Sequence, residues 1–296
     1  MVLSWREEEI LREPPYSQQK YNTISDNFFI SSSGHKKISL RPQHANLLLS
    51  YEITPFSLIN IDVGISGLTL RSRFNNHTDL IYKNKPAAST YSYDLDEQEK
   101  EQELNLNINY QRKFKENKDK ILTFSYSINQ NRSNNTLVNL LVKSHNFNGK
   151  NQKQFSLNKQ LNNAVQIDYV YPRGNLKIES GLRFTHRDLS NDFSSIIINP
   201  STGNIGVDTL NTGDMNYKLS VLRTYHSYLF KLAPFSFRAG VRDEYTFLQA
   251  DFMTGAPIKQ QYTNWLPSMK INYKVSNSIC MRQYLNSMSS AQELRY

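Results

Sequence analysis

The side chains in this sequence best able to do chemistry do not fall at spacings that chemistry uses. Six histidines stand at 35, 44, 77, 145, 186 and 226, and none forms the His-x-x-x-His spacing of a metal site. The single cysteine, Cys280, leaves no intrachain disulfide and has no base motif beside it. Gly-x-Ser-x-Gly and phosphate-loop patterns are absent. Asp243-Glu244 is an adjacent carboxylate pair, but in a strand its two members point to opposite faces. Glu244 instead shares a face with Arg238 and Arg242. Lys177, Glu179 and Arg183 form a second set of this kind. Ladders of mixed charge on one sheet face suit a wet interior rather than a bond-breaking centre. The expectation is a non-enzyme with no catalytic residue, cofactor or metal. A lipase or protease would need a Ser or Asp/His constellation that the chain does not assemble.

The elements that would carry these ladders follow one cadence. Two alternating apolar/polar runs flank a short turn, and a long polar stretch precedes the next pair. Leu104-Asn105-Leu106-Asn107-Ile108-Asn109-Tyr110-Gln111 is the cleanest run, with apolar residues at every second position. That is the period of a strand with one apolar and one polar face. Leu122, Phe124, Tyr126 and Ile128 alternate in the same way with Thr123, Ser125, Ser127 and Asn129. Short turns are expected near 55, 117, 173, 233 and 276. Pro172-Arg173-Gly174-Asn175 is the most explicit, because proline presets φ and Gly-Asn tolerates positive φ. Long loops are expected at about 75–98, 131–158 and 189–213. A soluble β-sandwich would place turns every 8–12 residues on shorter strands.

The chain has 296 residues, a net charge of +9 and a mean hydropathy of −0.60. No run of about 20 apolar residues offers a transmembrane helix. A membrane-spanning strand needs only about 9–11 residues, half of them facing water, so a polar average fits a barrel. Tyr and Phe are abundant at 18 and 15, and Tyr171, Phe114, Phe230, Phe235 and Tyr273 sit next to the short turns, where an interfacial belt belongs. The same aromatics would otherwise serve a soluble core. Basic residues are interspersed with acidic ones, without a long Lys/Arg run, so nucleic acid is not an expected partner. Met1-Val2-Leu3-Ser4-Trp5-Arg6 carries no export-signal pattern.

Three further stretches carry a resemblance: Gln166-Ile167-Asp168-Tyr169-Val170-Tyr171-Pro172 with Lys177-Ile178-Glu179-Ser180-Gly181-Leu182-Arg183, then Gly240-Val241-Arg242-Asp243-Glu244-Tyr245, then Leu266-Pro267-Ser268-Met269-Lys270-Ile271-Asn272-Tyr273-Lys274. In their order and spacing over roughly residues 45–296, they resemble the outer-membrane β-barrel family of TonB-dependent receptor-like proteins typical of Bacteroidetes. The resemblance implies a cell-outer-membrane location, a nutrient-uptake barrel surrounded by lipid, and, in the full-length protein, a plug domain and TonB as partners. It also makes Lys177, Glu179, Arg183, Arg238, Arg242 and Glu244 lumen-facing. Cys280 and Gln283 depart from the pattern, where a basic residue and an aromatic are expected.

The expected architecture is all-β: an irregular segment over 1–40, then an antiparallel up-and-down transmembrane β-barrel portion over 41–296. Its roughly ten strands, against about 22 in plugged transporters, imply a truncated, open curved sheet without signal, plug or closing strands, inactive alone. The alternative is a surface or secreted β-sheet protein with a binding or structural role and no transport.

Overall fold

Among the described residues, eleven antiparallel strands stand side by side in one sheet, joined up and down in chain order. This computed structural model describes residues 2–7, 10–12, 23–24, 28–82, 88–200, 202–274 and 280–286. The first strand is β1 (Val2–Glu7), and the short β2 (Ile10–Arg12) and β3 (Thr23–Ile24) pair with the same neighbour, β4 (Phe28–Thr54). Then come β5 (Ser57–Tyr82), β6 (Ser89–Phe114), β7 (Asn117–His145), β8 (Asn151–Arg173) and β9 (Leu176–Ile198). A short β10 (Ile205–Val207) pairs with β9, and β11 (Gly213–Leu232), β12 (Phe235–Phe252), β13 (Ile258–Lys274) and β14 (Cys280–Asn286) complete the sheet. Among the described residues the only helical element is a 3-10 turn at Thr209–Asn211. Among the described residues the ladder is open, with β1 and β14 at its edges. The described part of residues 1–40 is strand rather than irregular chain, and β4 runs through residue 40 without a break.

Four hairpin tips have two residues each, at 55–56, 115–116, 174–175 and 233–234, matching the expected turns. Gly174 has φ of 58°, the left-handed conformation that glycine adopts at no steric cost. The turn expected near 276 lies outside the described residues.

The other end of the sheet corrects the expectation of three long loops. β5 continues to Tyr82 and β6 resumes at Ser89; β7 continues to His145 and β8 resumes at Asn151. Of the third, β9 takes up residues to Ile198, and the remaining connection carries β10 and the 3-10 turn. Strands therefore reach 29 residues in β7, far beyond the 9–11 that span a bilayer. Where both faces of a strand are polar, hydropathy loses its period of two. The backbone ladder nevertheless persists, and side chains such as Glu97, Glu99, Asn131 and Asn135 bond across it.

The register sorts side chains onto two unlike faces. One carries Leu49, Ile61, Ile108, Tyr126, Val165, Phe184, Leu222, Tyr245 and Thr263 in a single cross-strand row. The next row, on the other face, carries Asp62, Asn107, Ser127, Ala164 and Thr185. Burial is inverted relative to a soluble sheet. Among the described residues the buried apolar side chains are Ala164, Val221, Ala250 and Leu266, and the register puts all four on the polar face. Large side chains on the apolar face stand open, including Tyr51, Ile65, Phe124, Phe184 and Trp265, the last 68% exposed. A continuous uncovered apolar surface of this extent marks an interaction surface rather than a solvated one.

The apolar residues form a band that drifts across the register. Its midpoint is near Leu49 in β4 and near Met269 in β13, whereas the residue of β13 in Leu49's own row is Thr263. The drift is therefore six residues over eight strand-to-strand steps. With a rise of about 3.3 Å and a strand spacing of about 4.8 Å, this corresponds to a tilt of roughly 30° between strands and band normal, close to the 35–45° of barrels. A slab of fixed thickness cutting a tilted sheet produces this pattern.

Candidate functional site

The six charged residues singled out in the sequence occupy the polar face of β9 and β12, with β11 between them. Period-two geometry puts Lys177, Glu179 and Arg183 on one side of β9. The register sets Leu229, Ser227 and Arg223 of β11 opposite them, and Arg238, Gly240 and Glu244 of β12 beyond. The ladders join. Lys177 Nζ lies 2.8 Å from Glu179 Oε1, and Arg238 reaches across β11 to donate to Glu179 Oε2. The small side chain of Ser227 and the absence of one at Gly240 leave space for that reach. Glu244 receives Arg223 Nε at 2.9 Å and lies 3.2 Å from Arg242 Nε. Arg183 sits in its row between Gln166 and Arg223 and is exposed. Asp243, on the apolar face, accepts a 3.4 Å bond from the Thr224 hydroxyl; the adjacent carboxylates are indeed separated by the sheet.

Three participants were not singled out from sequence: Arg223, Asp168 and Tyr225. The Tyr225 hydroxyl donates to Asp168 Oδ1 at 2.6 Å, and Gln166 Nε2 donates to Asp168 Oδ2 at 2.7 Å. Tyr225 and Asp168 belong to strands separated by β9, and the position between them is Gly181. A Cβ there would come within 2.2 Å of the Tyr225 ring and 2.6 Å of Asp168 Oδ1. The ring thus lies across the glycine. The available signal was a lone glycine inside an alternating strand, which often marks a close approach.

A second polar system runs along β6 and β7. Glu97, Glu99, Glu101 and Glu103 alternate onto the polar face, and each accepts a bond from the diagonal neighbour in β7: Asn135 at 3.1 Å, Ser133 at 2.9 Å, Asn131 at 2.6 Å and Asn129 at 2.6 Å. An amide chain then crosses four strands. Asn129 Nδ2 donates to Asn105 Oδ1 at 2.6 Å, Asn162 Nδ2 to Asn129 Oδ1 at 3.2 Å, and Arg187 Nε to Asn162 Oδ1 at 2.9 Å. The polar face is therefore acidic over β6 and basic over β9–β12. No group of three or more His, Cys, Asp or Glu able to hold a metal occurs among the described residues.

Aromatics gather on the apolar face near the two-residue tips. Phe114 and Tyr169 meet edge-on at 6.5 Å, and Phe235 and Tyr273 lie 4.7 Å apart. Lys120 Nζ is 4.4 Å from the Phe114 ring centroid and 5.5 Å from that of Tyr171. A cation on an apolar stem beside aromatic rings suits a boundary between apolar and aqueous phases.

The sequence profile of the outer membrane protein beta-barrel family matches residues 112–288, more than half of the chain. The chain belongs to that family. It is an outer-membrane β-barrel protein, and the resemblance noted in its strand motifs is supported at that level. Among solved structures it is similar to the ferric citrate transporter FecA in its unliganded form, with 12% identity, a TM-score of 0.43, and coverage of 86% of this chain and 43% of that one. It is also similar to BauA, the ferric preacinetobactin receptor from Acinetobacter baumannii, with 9% identity, a TM-score of 0.45 and coverage of 86% and 46%. The alcaligin outer-membrane receptor FauA from Bordetella pertussis gives 13%, 0.41, 85% and 41%. The chain thus spans less than half the length of each. No curated protein matches the sequence.

Proposed function

We propose that the chain is a wall portion of an outer-membrane uptake receptor of the TonB-dependent kind, with its apolar face against lipid and its polar face lining the lumen. The supporting observation is the inverted burial: open aromatic and aliphatic side chains on one face, and a hydrogen-bonded network of charges and amides on the other. In this reading, Lys177, Glu179, Arg183, Arg238, Arg242 and Glu244 line the lumen wall. Mutual pairing holds five of them in place, and exposed Arg183 is free to meet a plug domain or a hydrated solute.

The test is a photo-crosslinking residue introduced at Arg183 in the protein expressed in its own cells, with mass spectrometry of the products. Crosslinks to a globular domain resident in the barrel, altered when the inner-membrane proton gradient is collapsed, support the receptor reading. Crosslinks to acyl chains would overturn the face assignment. Crosslinks to an external protein, insensitive to the gradient, would favour the non-transport alternative.

A further inference from the structure

Among the described residues the apolar band has one polar interruption at its centre. The band's drift puts its midpoint about four residues tipward of Phe184 in β9 and of Leu222 in β11, at Ser180 and His226. Both stand on the apolar face, directly opposite each other in the register. Thr224 and Asp243 stand one rung further out on the same face, and Oδ1 of Asp243 is buried without a partner. In the other long strands the central rungs are aliphatic or aromatic, as at Leu49, Ile61, Ile108, Phe124, Ile167 and Met269. Ionisable side chains facing hydrocarbon are costly, and those kept there mark a functional contact.

Ser180 and His226 form an incomplete hydrogen-bonding unit. The serine Oγ lies 2.9 Å from His226 Nδ1. A neutral imidazole has one donor and one acceptor nitrogen. If the serine donates to Nδ1, the groups left over are the Nε2–H and a lone pair of Oγ. If Nδ1–H donates instead, they are the Nε2 lone pair and the hydroxyl proton. Either tautomer leaves one donor and one acceptor, and the ring is exposed. Lipid tails supply a partner for neither.

We infer that this patch joins two copies of the chain side by side in the membrane, about a two-fold axis along the membrane normal. The inference rests on the assignment of the apolar face to lipid and not on any transport role. A unit with one spare donor and one spare acceptor is complementary to a second unit of the same kind. As register partners, Ser180 and His226 differ in depth by only about 2.5 Å, given a strand spacing of about 4.8 Å and the roughly 30° tilt. A two-fold axis passing between them therefore sets each serine against the other copy's histidine, the reciprocal contact of an isologous interface. Four hydrogen bonds then close a ring of two serines and two histidines. Every donor in it has an acceptor, and no charge is buried. Leu182, Leu222 and Tyr228 stand exposed around the pair and supply an apolar rim. Polar side chains that bond across an interface hold membrane-embedded surfaces together where hydrophobic burial supplies no drive. A partner of different sequence would need a matching donor and acceptor at this depth, whereas a second copy presents them by symmetry.

The experiment uses the full chain carrying Cys280→Ser and Ile178→Cys, folded into phosphatidylcholine vesicles. Ile178 is on the apolar face beside the axis, one rung toward the tips from Ser180. Its new thiol is expected to give a disulfide-linked dimer with lipid-soluble copper–phenanthroline and to resist a water-soluble maleimide. A chain that stays monomeric while its thiol resists maleimide would overturn the inference and leave the face in lipid. Ready reaction with maleimide would overturn the face assignment, and the inference with it. Dimer affinity is then read by energy transfer between copies labelled at their amino termini, as added lipid dilutes them. His226→Leu and Ser180→Ala each remove both contacts between copies and should weaken the dimer by about tenfold. Both replace a polar group by an apolar one on a lipid-facing surface, so folding survives. The double variant should be no weaker than either single one, because either change opens the ring. Leu49→Ala, in the band of β4, should leave affinity unchanged. Native affinity in His226→Leu, a further tenfold loss in the double variant, or equal crosslinking from Ile61→Cys in place of Ile178→Cys would each overturn the inference.

Discussion

Replacing Phe124 with arginine should be far more damaging than making the same replacement at Asn107. Phe124 is at the middle of the β7 band, opposite Tyr110 on one side and Ile167 on the other, and 40% exposed on the apolar face. An arginine at the bilayer midplane of a barrel costs about 2–4 kcal/mol. At about 1.4 kcal/mol per factor of ten, the folded-to-unfolded ratio falls by roughly 30- to 1000-fold. Asn107 is exposed on the other face, opposite Asp62 and Ser127. A new cation there meets water and a carboxylate, so the expected change is within about 0.5 kcal/mol. Gln130, two residues beyond the β7 band on the apolar face, provides a depth control, and Gln130→Arg should cost about 0–1 kcal/mol. Urea titrations in short-chain phosphatidylcholine vesicles measure all three. Equal costs at 124 and 107, or no dependence on depth between 124 and 130, would refute the face assignment.

Glu179→Gln removes the charge paired with Lys177 and Arg238 and should lower stability by about 1 kcal/mol, the partial exposure of all three keeping the loss small; the same urea titration measures it. Gly181→Ala forces the Tyr225 ring off Asp168 and should cost about 1–3 kcal/mol, more than the roughly 1 kcal/mol of Tyr225→Phe. Equal costs for the pair would remove the steric role given to Gly181. Asn129→Ala breaks the bonds to Glu103, Asn105 and Asn162 and should speed amide exchange along β6 and β7 while leaving β11–β13 unchanged. At the far end of β6, burial pushes the Tyr93 phenol above its ordinary value of 10.0, in a cluster where Tyr91 and Phe147 stack at 4.0 Å. A phenol that holds its proton more tightly when folded contributes stability below about pH 10 that is lost as pH rises beyond it. Tyr93→Phe should therefore flatten the alkaline part of the stability profile.

Local residue chemistry explains which features were legible in sequence. Runs such as Leu104–Tyr110 announced the strands because one face met a different medium from the other. Proline, Gly-Asn and charged clusters located the tips to within about two residues, because turns constrain φ locally. The extensions past Phe74, Gln130 and Asp188 were hidden, since apolar and polar residues there follow no period of two. At the site, parity alone placed Lys177, Glu179 and Arg183 on one face. The contacts of Glu244 with Arg223, and of Tyr225 with Asp168, depend on register between strands, which no local signal sets. The four glutamates from 97 to 103 carry no local sign of their partners, and only pairing with β7 shows each one bonded to an amide or hydroxyl.

The most direct measurement concerns Trp265, 68% exposed on the apolar face within the band. With the second tryptophan removed by Trp5→Phe, the full chain is folded into phosphatidylcholine vesicles and its fluorescence is quenched with acyl-chain-brominated lipid or with aqueous acrylamide. The expected result is strong quenching by the brominated lipid and little by acrylamide, as for an indole in hydrocarbon. Quenching by acrylamide without an effect of brominated lipid would place that face in water and contradict the reading of this sheet as a membrane-spanning barrel wall.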